Sequence, residues 1–460
     1  MPRKKKNPGQ EAVKTEKRSD KLPARILGMK DYPGSEYSYY GLANERAYEL
    51  ANLHGFSLIK TPVIESADLF KKALRRGTGK ESYIVNCDKG EKGVLRPELT
   101  QGMIRAYLES RDPESPIGAK LFSLGPVFRY EKLQAGHYRE ATQFDIEVIG
   151  DDKAISEALL IALVYDYFNS LGVRTKVQIN SLGNAECRRE YSAKLTAFYK
   201  ERGRRSKLCN LCKANLGKNS LSLLDCHEES CLKLIEEAPQ IADFLSPESR
   251  EHFAKIIEAL DELGVEYDFN SYLVRGLSYY NETVFEFWPL NENGTVSGKN
   301  ALAGGGRYDS LSEIIGGPAI SAFGVAVGIE RTVSRMKDKP LLPKINKEDI
   351  VFIAQLGEQA KIKAVGLFKE LKEAGINVHD SFLSDSLKNQ LEEAVKIGAK
   401  TCLILGKKEI MDGTILMRDI ESGAQETLVY KKVRERLAKK DKIIEKRLIH
   451  RKEETQYGGF

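Results

Sequence analysis

Arg275 opens the run LVRGLSYYNETVFEF (residues 273–287), which is otherwise rich in aromatic and apolar side chains. A guanidinium keeps its charge, so an arginine among such neighbours needs an anionic partner or ligand. A glycine follows it, and then Tyr279 and Tyr280, each an apolar ring with a polar tip. Two readings are open: a core strand whose arginine points outward, or a cation and an aromatic pair held for a ligand.

The stretch ATQFDIEVIG carries the clearest alternation in the chain. Phe144, Ile146 and Val148 fall on one face of a strand, and Gln143, Asp145 and Glu147 on the other. If the strand is central, amide and carboxylates line a cavity and can read the polar groups of a small substrate. If it is half-exposed, the same row is the wet face of an antiparallel sheet.

Four of the seven cysteines, Cys209, Cys212, Cys226 and Cys231, are spaced C-x2-C, thirteen residues, C-x4-C. In a reducing compartment that spacing favours a tetrahedral structural zinc over disulfides, with His227 as a substitute ligand. Cys87, Cys187 and Cys402 are read as buried small hydrophobes.

The elements that must position these groups follow from local signals. After Pro33-Gly34, with Ser35 as cap candidate, a helix runs to Gly55. FSLIKTPVIE is a strand interrupted by Pro62, which cannot donate to a ladder and so points to an edge or an interface. GVLRPELTQGMIRAYLE reads as a strand entering a helix, and LFSLGPVFRYE and ATQFDIEVIG as two long strands. Gly304, Gly305 and Gly306 ahead of Arg307 read as a loop open to close backbone approach, or as a plain turn. The insertion, about 185–265, is expected to be mainly helical. KDKPLLPKINKED is a proline-rich linker, spanning 334–348 in this reading. Beyond it IVFIA, INVHD, TCLILG and TILMRD alternate with helices, predicting a small parallel α/β domain over 349–436.

At 460 residues the chain is too long for one ordinary core, and with 41% hydrophobic and 30% charged residues it has a globular composition. No apolar run approaches the roughly 18 residues of a membrane span. The basic N-terminus is not followed by an apolar export segment, which predicts a cytosolic protein. The formal charge of +6 is concentrated at the ends: residues 1–22 hold 8 Lys/Arg against 3 Asp/Glu, and residues 431–460 hold 11 against 5. Such tails suit a polyanion such as RNA, or are solvated ends. Val433, Leu437, Ile444 and Leu448 recur at helical spacing, so the second tail, 437–460 with the residues before it, reads as a helix with one apolar stripe.

Beyond these local signals, PVFRYEKLQAGHYREATQFDIE resembles the second signature of class II aminoacyl-tRNA synthetases, FGVAVGIERT the third, and GFSLIKTPVIE the first, with Pro62 at a dimer interface. VRGLSYYNETVFEF and LAGGGRYDSL are similar to two signatures peculiar to histidyl-tRNA synthetases, and LRPELT to their amino-acid loop. The last domain follows the family's anticodon-binding domain through GINV, SLKNQL, ILGKKE and LMRDIESGAQ. The resemblance runs collinearly from residue 23 to about 435.

The resemblance implies an α+β catalytic domain (23–333) with a mixed or antiparallel sheet, followed by an α/β anticodon-binding domain. It implies a homodimer that uses ATP with Mg²⁺, L-histidine and tRNA(His), with no membrane. Arg129 and Arg275 are the catalytic cations at the reacting phosphate. Arg129, Arg139 and Arg331 bind ATP. Glu98, Leu99, Thr100, Arg129, Gln143, Glu147, Arg275, Tyr279 and Tyr280 bind the amino acid, with Glu147 and a tyrosine on the imidazole and Glu98, Thr100 and Gln143 on the α-ammonium. The alternative is a non-catalytic relative that senses histidine or binds RNA. Several positions depart from the family pattern: His137 where the second-signature loop usually has arginine, Ser278 where an aspartate usually precedes the tyrosine pair, the N-terminal loop ILGMKDYP, which keeps Gly28 and Asp31 but not the common PRGT wording, and RGTGKESYIV ahead of the amino-acid loop.

Overall fold

The computed structural model describes residues 24–437 except 74–81, 113, 115–116, 131–137, 202, 276–278, 299, 338–349 and 382–383. His137, Gly276, Ser278 and both basic tails beyond those limits therefore lie outside the described residues. The chain divides into two compact units between Leu342 and Pro343.

The first unit contains β1 (Ser57–Leu58), β2 (Ile64–Ser66), β3 (Ile84–Asn86), β4 (Lys92–Leu95), β5 (Ala119–Phe128), β6 (Glu140–Ile149), β7 (Thr175–Ser181), β8 (Tyr267–Phe269), β9 (Asn281–Pro289), β10 (Ala303–Arg307) and β11 (Ala322–Gly328). Its main sheet has the order β1-β5-β6-β11-β10-β9-β7-β8. Only the two outermost pairs, β1 with β5 and β7 with β8, are parallel. The α+β class with a mixed sheet, expected from the sequence, is the class observed.

Strand alternation gives the sheet two different faces. Phe144, Ile146, Val148, Phe285 and Phe287 enter a core built with the helices Gly34–Leu53, Ala154–Ser170 and Ile329–Lys337. Asp145, Glu147 and Glu286, one residue out of phase, face the other side, so the polar row of β6 is buried in an interior strand. FSLIKTPVIE breaks at Thr61-Pro62, as its sequence suggests, with β1 at the edge of the main sheet and β2 in a separate sheet β2-β4-β3. The first helix starts at Gly34 with Pro33 as its cap, so Ser35 lies inside it.

Gly304, Gly305 and Gly306 correct the loop reading. They lie in β10, hydrogen-bonded to β9 and β11 on both sides. A run without side chains gives no strand signal, yet it is needed here: a Cβ on Gly305 would sit 2.1 Å from the Gly324 carbonyl oxygen, and one on Gly304 2.2 Å from Arg275 Nη1. Arg307 is buried in an ion pair with Glu157, whose Oε1 also contacts His252 Nε2 at 2.7 Å.

Between β7 and β8 the chain is helical, from Ala185–Lys200 to Pro247–Glu262. The last of these helices packs into the main core through Ile256 and Leu260. The earlier ones share an apolar cluster with Tyr279, Tyr280 and Tyr308.

The second unit is a five-stranded sheet, β13-β12-β14-β15-β16, made of β12 (Val351–Gln355), β13 (Val378–Asp380), β14 (Thr401–Leu405), β15 (Thr414–Asp419) and β16 (Gln425–Val429). β12, β13 and β14 are parallel, with the helices Glu358–Glu373 and Leu387–Lys396 as connections. TILMRD does not continue that pattern. After a six-residue helix, Lys407–Asp412, Gly413 turns in the left-handed region (φ +63°) and β15 runs antiparallel to β14 and β16. Residues 433–437 are helical, as the spacing predicts, and Val433 and Leu437, the first two positions of the apolar stripe, are buried in this unit's core; Ile444 and Leu448 lie outside the described residues.

Candidate active site

The strands and the loop after β4 bring three carboxyl groups together in the first unit. Glu98, Asp145 and Glu147 are all buried, Asp145 and Glu147 completely. Glu147 is held from both sides: the Thr100 hydroxyl donates to Oε1 at 2.6 Å and the Tyr308 hydroxyl donates to Oε2. Gly324, directly across from Glu147 on β11, makes this possible, because a Cβ there would lie 1.6 Å from Glu147 Oε2. Glu98 accepts the Gln101 backbone N–H at 3.0 Å and the Tyr279 hydroxyl at 3.3 Å.

Burial raises all three carboxyl pKa values, Asp145 and Glu147 well above the usual carboxylate range. The nearby Glu98 charge adds to this for Asp145, and the Asp145 charge for Glu147. Neither Asp145 oxygen makes a well-formed hydrogen bond, although the Leu99 backbone N–H lies near enough to favour its charged form, and the Gln143 side-chain oxygen and the Gln101 side-chain amide are likewise unpaired. Unsatisfied acceptors at this density are costly in a folded chain unless a donor arrives from outside. Tyr279, Tyr280 and Tyr308 wall this end, with ring centroids 5.0, 5.8 and 6.2 Å apart. A bulge aims the pair: β9 skips register between Val284 and Asn281, and Glu282 there has φ +47°.

Beside this polar pocket is a cavity of about 260 Å³ lined by Arg129, Gln143, Arg275 and Arg331 among others. Arg129, one residue past β5, donates from Nε to the Pro97 carbonyl at 2.8 Å. Arg331 donates to the Ala301 carbonyl at 2.9 Å. Arg275 does not point outward. Its guanidinium pairs with Glu286, which also accepts from Trp288 Nε1 at 3.1 Å, and it lies over Gly304, the residue paired with Glu286 across the sheet. Arg139 is placed differently. Its guanidinium stacks 4.2 Å from the Tyr130 ring centroid, Nη1 reaches the Leu27 carbonyl at 3.3 Å, and it is not among the residues lining the cavity.

The sulfurs of Cys209, Cys212, Cys226 and Cys231 lie within 4.8 Å of one another. Sulfur atoms around a tetrahedral zinc are roughly 3.8 Å apart, as implied by the usual Zn–S bond. Two sulfurs already accept backbone N–H groups, Cys231 from Cys209 at 3.3 Å and Cys209 from Cys212 at 3.4 Å. His227 is not part of this group; it lines the cavity instead.

Several partners carry no role in the sequence reading: Tyr308 on Glu147, Glu286 on Arg275, Gly324 and Glu330. Glu330 accepts the Thr142 N–H at 2.8 and 2.9 Å and closes one side of the cavity. Cross-strand register creates these pairings, and it has no signature in a local run. Tyr308 and Gly324 do fall inside stretches that the resemblance had picked out.

Comparison with known proteins agrees with this geometry. The family model for histidyl-tRNA synthetase matches residues 28–332, and that for an anticodon binding domain residues 350–440. A histidine–tRNA ligase of Dehalococcoides mccartyi is 36% identical over 87% of this chain and 96% of its own length, and one of Thermosipho melanesiensis is 35% identical over 87% and 95%. The crystal structure of apo S. aureus histidyl-tRNA synthetase superposes with a TM-score of 0.74 at 29% identity, covering 90% of this chain and all of that one. With both units matched in order and the relatives covered almost end to end, the chain belongs to the histidyl-tRNA synthetase family.

Proposed function

We propose that the protein is a histidine–tRNA ligase. A carboxylate oxygen of L-histidine attacks the α-phosphorus of ATP, pyrophosphate leaves, and the histidyl group of the adenylate then passes to the 3′ end of tRNA(His) with release of AMP. The observation that carries this reading is Glu147, buried between Thr100 and Tyr308 beside a cavity lined by three arginines.

The roles follow from what each group can hold. Glu147 accepts an imidazole N–H, and its fixed position rejects side chains that cannot donate there. Glu98, Thr100, Gln143 and the Leu99 backbone surround the α-ammonium, and Tyr279 and Tyr280 enclose the ring. Arg129 and Arg275 face the charge that builds at the α-phosphate as pyrophosphate departs. Arg331 takes the far end of the triphosphate, and Arg139 joins it by leaving the Tyr130 ring. Mg²⁺ supplies charge neutralisation on the phosphates and arrives with the nucleotide, since Glu286 and Glu330 are already engaged by protein donors. The four cysteines hold a structural zinc and touch no substrate.

We further propose a homodimer, in support of which Leu58, Val63 and Ile64 around Pro62 are exposed apolar side chains. No helix among the described residues is long and apolar enough to cross a membrane. The free thiols fit the reducing cytoplasm, where we place the enzyme. The second unit would read the anticodon. Incubation of the full chain with ATP, tRNA(His) and each labelled amino acid tests the reading: histidine alone should become acid-precipitable with the tRNA. Binding of tRNA without charging would favour the non-catalytic alternative.

A further inference from the structure

Cys226 is flanked by Asp225 and His227, and both flanking residues line the cavity that contains Arg129, Arg275 and Arg331. Residues 226–228 have no helix or strand of their own, lying between a turn that ends at Asp225 and a helix that starts at Glu229. The cysteine cluster also reaches the amino-acid end: Cys212, Cys231, Leu223 and Leu224 belong to the same apolar cluster as Tyr279, Tyr280 and Tyr308. A segment held at one atom by a tetrahedral metal has its neighbouring Cα atoms fixed; the same segment without the metal is held only by thiol packing.

We infer that the metal bound by Cys209, Cys212, Cys226 and Cys231 positions the cavity wall, so that His227 in that wall presents its imidazole to the nucleotide. The inference rests on the zinc reading given above. ATP binding then depends on metal loading even though no cysteine touches a substrate. Oxidation or loss of the metal would weaken nucleotide binding more than it disturbs the Glu147 pocket, which Thr100 still holds from its other side.

The chain itself supplies a reporter, because its one tryptophan, Trp288, also lines the cavity. Zinc content, Trp288 emission and pyrophosphate exchange are measured on the full chain as purified with zinc, after removal of zinc by a thiol-directed mercurial under reducing recovery, and after zinc is restored. The expected result is one zinc per chain. On its removal the emission shifts reversibly and the KM for ATP rises roughly tenfold or more, with a smaller change in the KM for histidine. His227→Ala should retain its zinc and show the raised KM for ATP with zinc present, and His227→Gln, which keeps a hydrogen-bonding group, should recover part of it. Unchanged emission and unchanged KM for ATP, both on zinc removal and in His227→Ala, would overturn the coupling while leaving the zinc reading intact. A zinc-supplemented, folded chain that binds no zinc would overturn both.

Discussion

Tyr308 and Thr100 donate their hydroxyls to opposite oxygens of Glu147, one from β10's end and one from the helix that follows β4. Because both donors are protein side chains and Gly324 closes a third side, the carboxylate has little freedom to turn. That rigidity is what a pocket for an imidazole requires, since the ring must be met in one tautomer or charge state.

Replacing Glu147 by glutamine keeps the shape but turns one acceptor oxygen into an NH2 donor. Glu147→Gln should lower kcat/KM for histidine in pyrophosphate exchange by about a hundredfold, the order expected when a hydrogen-bonding group in a buried site is left unsatisfied. The KM for ATP should stay nearly unchanged. Equal losses toward both substrates would show that Glu147 supports the fold of the site and does not select the amino acid.

Gly324→Ala pushes a methyl group to within 1.6 Å of Glu147 Oε2 and 2.7 Å of the Ile146 carbonyl oxygen. The first is a side-chain end already held by two hydroxyl donors, and the second is backbone. Overpacking of this kind costs roughly 1–3 kcal/mol. We expect a lower Tm together with a raised KM for histidine, and urea unfolding identical to wild type would contradict the packing described here.

Asp145 makes a prediction of opposite sign for stability and for function. Its folded pKa is raised, by burial first and then by Glu98, so the protonated form is favoured in the native state. A raised carboxyl pKa contributes stability that is complete below the unfolded value of about 3.9 and is lost as pH rises through the folded one. Asp145→Asn removes that loss. Without ligand, its Tm should exceed wild type at pH 8 by about 2 °C or more and converge with it toward pH 4. If the unpaired oxygens await the α-ammonium, histidine binding in the same variant should weaken roughly tenfold. A Tm difference that grows as pH falls would refute the assignment.

Arg275→Ala should lower kcat for exchange by about two to three orders of magnitude, the usual cost of removing a donor aimed at developing charge. Glu286 keeps Trp288 as a donor in the variant, so the Tm should move by only a few degrees. Exchange at the wild-type rate would remove Arg275 from the reacting phosphate.

The parts of this architecture that were legible in the sequence are those coded locally. Phe144, Ile146 and Val148 alternate with Gln143, Asp145 and Glu147 within a single strand, and the burial of the polar row follows once β6 is interior. Pro62 marked the break between β1 and β2 because a missing donor is a property of one residue. What stayed hidden depends on register. Gly304 reads as loop in isolation and is strand because β9 and β11 supply its partners, while its lack of a side chain makes room for Arg275. Glu286 and Tyr308 acquire partners 11 and 161 residues away, which no periodicity signals. TILMRD looks like a further parallel strand until the short Lys407–Asp412 helix and Gly413 turn the chain back.

The central claim is that the Glu147 pocket and the arginine cavity together activate histidine with ATP. Exchange of labelled pyrophosphate into ATP by the full chain, run with each amino acid in turn, tests it most directly. The account predicts exchange with L-histidine and none with the others. A folded, zinc-loaded protein that gives no exchange with histidine, or that exchanges equally with several amino acids, would contradict it.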